Sequence, residues 1–85
     1  MTSKSTLRRK ENHASMQLEL ACDRLTRAHT ALTVRKRRWL VQRLAPKQYK
    51  SELWDLIQER LHAIAAVVEA QGEWTAAADA LDKAA

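Results

Sequence analysis

In the first half of the chain Ala14, Leu18, Ala21, Leu25, Ala28, Leu32 and Trp39 follow a spacing of fours and threes, with Arg35 the one break. That period belongs to an α-helix with one apolar stripe. Large residues take one seam position and alanine the other, and alanine at a seam lets two helix backbones approach closely. With one Gly and one Pro in 85 residues, the chain has few places to turn. Its commonest residues are strong helix formers, and no window alternates β-branched residues at period two. The fold class expected is therefore all-α.

The stops divide the chain. Pro46 forbids a smooth continuation of the first helix, expected over about 11–45. Proline suits the first position of the next helix, and Ser51 is a second plausible cap. A second stripe follows: Trp54, Ile57, Leu61, Ile64 and Val68, widened by Leu53, Leu56, Ala65 and Val67. Gly72 is expected to end that helix, about 47–71, in the left-handed C-terminal role. A third helix, about 73–84, places Trp74, Ala77, Ala78 and Leu81 on one side. Residues 1–10 read as a flexible basic tail, and 11–85 as one helical domain.

The architecture predicted is a long antiparallel helical hairpin plus a short third C-terminal helix, a small three-helix bundle. A fold-back at residues 46–47 makes facing residue numbers add to about 93. Trp39 then faces and stacks on Trp54, Leu32 faces Leu61, Ala28 faces Ala65, and Leu25 faces Val68. An unbroken first helix approaches about 50 Å. It must either project and find a partner, or break near Thr30–Val34.

The C-terminal third carries one resemblance. Leu61, Ile64, Ala65, Val68, Gly72, Trp74, Ala77, Leu81 and Ala84 fall at the spacing of a tetratricopeptide-type helix-turn-helix. The string "EAQGEWTAAADALDKAA" resembles the turn and second helix of such a repeat. It covers a quarter to a third of the chain and is not repeated upstream. The resemblance implies a turn at Gly72 and a protein-binding scaffold.

Charge is split along the chain. Residues 1–50 hold thirteen Lys/Arg against three acids, and residues 51–85 hold two against seven. Such asymmetry suits a polyanion partner for the basic half, or attraction between the halves. On a helix Arg24, Arg27, Arg35 and Arg38 cluster on one flank, while Lys36 and Arg37 point elsewhere. Phosphate neutralisation is one reading of that flank. The other is a solvated helix end, its cations matched to the macrodipole and partly answered by Glu52, Asp55 and Glu59. The motifs of DNA and RNA readers are missing.

Catalytic chemistry is nearly missing too. His13, His29 and His62 stand alone, Cys22 is a lone thiol suited to a reducing compartment, and there is no phosphate loop or metal-ligand spacing. No cofactor, metal or small-molecule substrate is expected, and the chain is read as not an enzyme. It shows no membrane-spanning run and no secretory signal, so the cytoplasm of the producing or host cell is expected.

The function expected is a small non-catalytic protein–protein interaction protein: a regulator, adaptor or inhibitor, of a size suited to a phage or accessory element. The alternative is a nucleic-acid-binding protein using the Arg-rich flank. Contact candidates are Arg24, Arg27, Arg35, Lys36, Arg37, Arg38 and Trp74. A homo-oligomer, most simply a dimer, is expected through Ala14 and Leu18, which lie N-terminal to the part of the first helix that the second covers, and through Leu20, Val34 and Val41 on a second, looser apolar flank that three helices leave unburied.

Overall fold

The computed structural model describes residues 3–42 and 46–84, with the backbone alone at 41, 42, 46 and 48. They form two helices, α1 (Lys4–Gln42) and α2 (Pro46–Lys83). The helices lie antiparallel, since Glu11 meets Trp74 while Arg35 meets Glu52. The pair is a rod of 61 × 15 × 13 Å with a radius of gyration of 18.8 Å. A globule of this length would have a radius of about 12 Å. A rod this thin leaves most side chains in water.

α1 starts earlier than its stripe suggested, and residues 4–10, read as a tail, are helical. Ser3 supplies the reason. The Thr6 N–H donates to Ser3 Oγ at 3.2 Å, and the Leu7 N–H donates to the Ser3 carbonyl at 3.0 Å. A serine cap of this kind satisfies donors that a helix start otherwise leaves open. Nor does α1 break at Thr30–Val34. The Thr33 hydroxyl donates to the His29 carbonyl at 3.0 Å, which satisfies a poor helix former in place.

The third helix is not formed: α2 runs unbroken through Gly72 to Lys83. A helical glycine costs about 0.5–1 kcal/mol relative to alanine. Set against that is the row Ala70, Trp74, Ala77 and Leu81, all withdrawn from solvent along α1. Breaking the helix at Gly72 would take Trp74 and Leu81 off that row. A Cβ built on Gly72 meets nothing within 4 Å. Gly72→Ala is therefore expected to stabilise the hairpin by about 0.5–1 kcal/mol in urea unfolding. A destabilised variant would contradict a continuous α2.

The seam follows one rule on both helices. In α1 the large positions are Leu18, Leu25, Leu32 and Trp39, and Ala14, Ala21 and Ala28 recur every seven residues between them. In α2 the large positions are Leu53, Arg60, Val67, Trp74 and Leu81, interleaved with Ala63, Ala70 and Ala77. The buried core is Ala14, Ala28, Leu32, Ala63 and Ala70. Leu32, at 2% exposure, is its one large side chain among the described residues. Alanine rows on both sides bring the helix axes close, and the larger residues close over the gap from each side.

This is a different face of α2 from the one its apolar stripe suggested. Trp54 is 62% exposed and Val68 64%, with Leu61 and Ile64 also exposed. Trp39 does not meet Trp54; it stacks on Tyr49, ring centroids 4.5 Å apart. The register differs as well. Glu11–Trp74, Arg24–Glu59 and Arg35–Glu52 add to 85, 83 and 87, about one heptad below 93. The row Trp54 to Val68 is the more apolar one, but it has no alanine column to receive α1. Ala63, Ala70 and Ala77 fit the alanines of α1, and three polar contacts close only in that register.

Candidate interaction surfaces

Among the described residues, three polar contacts with known geometry tie the hairpin, and each takes its residues from both helices. The Arg24 guanidinium forks onto Glu59, Nε to Oε1 at 2.8 Å and Nη2 to Oε2 at 3.3 Å. Arg35 is held by Glu52. The Trp74 indole N–H donates to Glu11 Oε1 at 3.0 Å in a partly buried site. A fourth polar group, Arg60, occupies a large seam position, with its Nε buried and without a hydrogen-bond partner. Polar groups at seam positions cost stability but penalise other registers, which specifies one alignment of the helices.

These contacts reassign several candidates. Arg24 and Arg35 are structural cations here, answered within the fold by Glu59 and Glu52. Trp74 is a half-buried seam residue, not a free anchor. Ala14 is buried and Leu18 half-buried in the same seam, because α2 reaches far enough to cover them. Leu20 and Val34 are exposed. The side chain of Val41 lies outside the described residues.

Hydrogen bonding to Arg24 holds the Glu59 carboxyl below its usual range, and the same fork raises Arg24. Burial opposes the shift only in part. A carboxylate with a lowered folded-state pKa adds stability above its unfolded value, and that stability fades as pH falls through the folded one. Carbon-detected NMR titration is expected to place Glu59 below an ordinary glutamate. Arg24→Gln should return it to the usual range, and no change on that substitution would contradict the fork.

Two surfaces stand out among the described residues. The first is basic. Arg27, Lys36, Arg37 and Arg38 on α1 are exposed, and Lys47 and Lys50 are exposed on the first turns of α2. All but Arg27 sit at the turn end of the rod. The second is the outer row of α2, Trp54, Leu61, Ile64 and Val68 with half-buried Ile57 between them. From Trp54 to Val68 the row runs about 21 Å. It leaves on the order of 400 Å² of apolar surface in water, within the range that marks a functional patch.

Comparison with protein-family models, with curated proteins and with solved structures finds no match. The surfaces must therefore speak for the chain. No three His, Cys, Asp or Glu side chains converge among the described residues. His13, His29, His62 and Cys22 are all exposed. The grooves are open, such as the one of about 350 Å³ between Gln17, Leu20, Ala66 and Glu73. No described helix is long and apolar enough to cross a membrane.

The residues that sequence reading misplaced are those of the outer row, which it assigned to the core. The signal that finds them is the seven-residue alanine column Ala63, Ala70, Ala77, the counterpart of Ala14, Ala21, Ala28. Once α2 spends that column on α1, its more apolar row faces outward.

Proposed function

We propose that this chain is a non-catalytic protein–protein interaction protein, a regulator, adaptor or inhibitor, that docks through the outer row of α2. The observation that carries this reading is Trp54, Leu61, Ile64 and Val68 standing exposed at helical spacing along one side of a rigid rod. A helix laid along such a row reads its partner through anchors at i, i+3, i+7 and so on. Exposed tryptophan is also a residue type that dominates interface energies.

The reading is tested by affinity capture from an extract of the producing cell, with and without nuclease. A captured protein should survive nuclease and be lost with Leu61→Glu plus Ile64→Glu. It should persist, with slower association, when Arg27, Lys36, Arg37 and Arg38 become Gln. Capture that nuclease abolishes would contradict it.

The second reading, nucleic-acid binding, rests on the exposed cations at the turn end. If those cations each neutralise one phosphate on duplex DNA, log affinity falls with log salt at a slope near −0.9 per contact. Five such contacts give a slope of about −4 to −5. No measurable binding to random duplex at low salt removes this reading.

A further inference from the structure

We propose that a second copy of this chain covers the outer row of α2, the two α2 helices packing antiparallel about a two-fold axis near Leu61 to make a four-helix bundle. This rests on reading the outer row as an interaction surface, and it names the occupant.

Area is the first support. Among the described residues, one hairpin buries four alanines and Leu32 and little else, and none of their large side chains is completely buried. Chains this small usually draw stability from a further staple or from association. A standard interface takes about 800 Å² from each partner. The exposed row supplies roughly half of that as an apolar centre, and the polar positions beside it along α2 supply a rim.

The shape of the row is the second support. Its steps of three and four are those two antiparallel helices need on both sides of a contact. A two-fold axis demands that one patch complement itself. Centred on Leu61, the pairing sets Trp54, the bulkiest member, against the partner's Val68, the smallest. Ile57 and Ile64 then fall opposite each other, and Leu61 meets its own copy. A parallel pairing instead stacks Trp54 on Trp54 and leaves Val68 facing Val68.

Charge is the third support, and it chooses the same orientation. The row continues at its N-terminal end into Lys47 and Lys50, and at its C-terminal end through Thr75 to Asp79 and Asp82. All five are exposed. Antiparallel packing brings the basic end of one helix toward the acidic end of the other, with Lys47 within about one turn of the partner's Asp79. Parallel packing places cation on cation and acid on acid. Asp79 holds Lys83 at 3.2 Å in its own helix, but that pair is exposed and weak, so it gives way readily.

The test is sedimentation equilibrium of the intact chain at tens of micromolar. The expected mass is twice 9.7 kDa. Leu61→Glu plus Val68→Glu should sediment as a monomer with unchanged helicity, since both residues lie outside the hairpin seam. Orientation is read by mild oxidation in a Cys22→Ser background. A mixture of Trp54→Cys and Val68→Cys chains should give a disulfide-linked heterodimer, whereas Trp54→Cys alone should not. Trp54→Cys cross-linking alone as strongly as the mixture would overturn the antiparallel arrangement. A monomeric wild type would overturn the second copy as occupant. If that monomer still captures another protein, and Leu61→Glu plus Val68→Glu abolishes the capture, the outer row remains an interaction surface and only its occupant was wrong.

Discussion

Leu32→Ala is expected to cost the hairpin about 2–4 kcal/mol, the range for removing a buried leucine side chain without full relaxation of its surroundings. Leu32 is the one large buried residue among those described, so no neighbouring core side chain among them can take over its role. A chain of this length has a total stability of about 4–13 kcal/mol, and an alanine-rich rod belongs at the low end. The variant should therefore lose much of its folded population. Urea unfolding followed by helical circular dichroism, at one protein concentration, should show a lower midpoint with an unchanged slope. With both variants made in the monomeric Leu61→Glu chain, Val68→Ala, on the outer row, should leave unfolding nearly untouched. Equal costs for the two variants would mean that the inner and outer faces of α2 have been exchanged.

Ala63→Leu is expected to destabilise by about 1–3 kcal/mol even though it adds apolar surface. Ala63 is completely buried, at 0% exposure, in the alanine column that faces α1. Extra methylenes there must push the helices apart or leave their rotamers. Separating the axes would also loosen the Arg24–Glu59 and Glu11–Trp74 contacts on either side. Ala65, two residues on, is exposed. Ala65→Leu should change stability by no more than about 0.5 kcal/mol. The contrast between the two leucines is the measurement, because hydrophobicity and helix propensity change equally in both. An Ala63→Leu variant as stable as the wild type would show that the alanine columns do not set the spacing of the helices.

Much of the fold was legible before any coordinates. The all-α class, the large-and-alanine seam of α1 and an antiparallel return at Pro46 all follow from spacing and from the shortage of Gly and Pro. Gly72 misled because a glycine near a plausible helix end suggests a stop, and propensity is local. The continuing row Ala70, Trp74, Ala77 and Leu81 is a tertiary reason for the helix to go on. The face of α2 misled for a related reason. Hydrophobicity ranks Trp54, Ile57, Leu61, Ile64 and Val68 above a row that contains Arg60 and three alanines. Packing against the alanines of α1 ranks them the other way.

The candidate site was legible in part. A fold-back adding to 93 sets Glu52, Asp55 and Glu59 at the heights of residues 34–41, whereas the structure pairs Glu52 with Arg35 and Glu59 with Arg24. Which cations stay free depends on register, and an error of one heptad reassigns them. The bond between Trp74 and Glu11 spans 63 positions, so no local pattern signals it. The apolar surplus expected on α1 is real at Leu20 and Val34. The surplus that forms one continuous row is on α2, on the stripe expected to be core.

The central claim is that the alanine-bearing row of α2 zips the hairpin and thereby leaves the more apolar row outward. Nuclear Overhauser contacts from the Leu32 methyls test it most directly. Contacts are expected to Leu53 and Leu56, the inner-row residues at the same height, and none to Leu61. Contacts from Leu32 to Leu61, with Leu25 meeting Val68, would put the other row inside and contradict it.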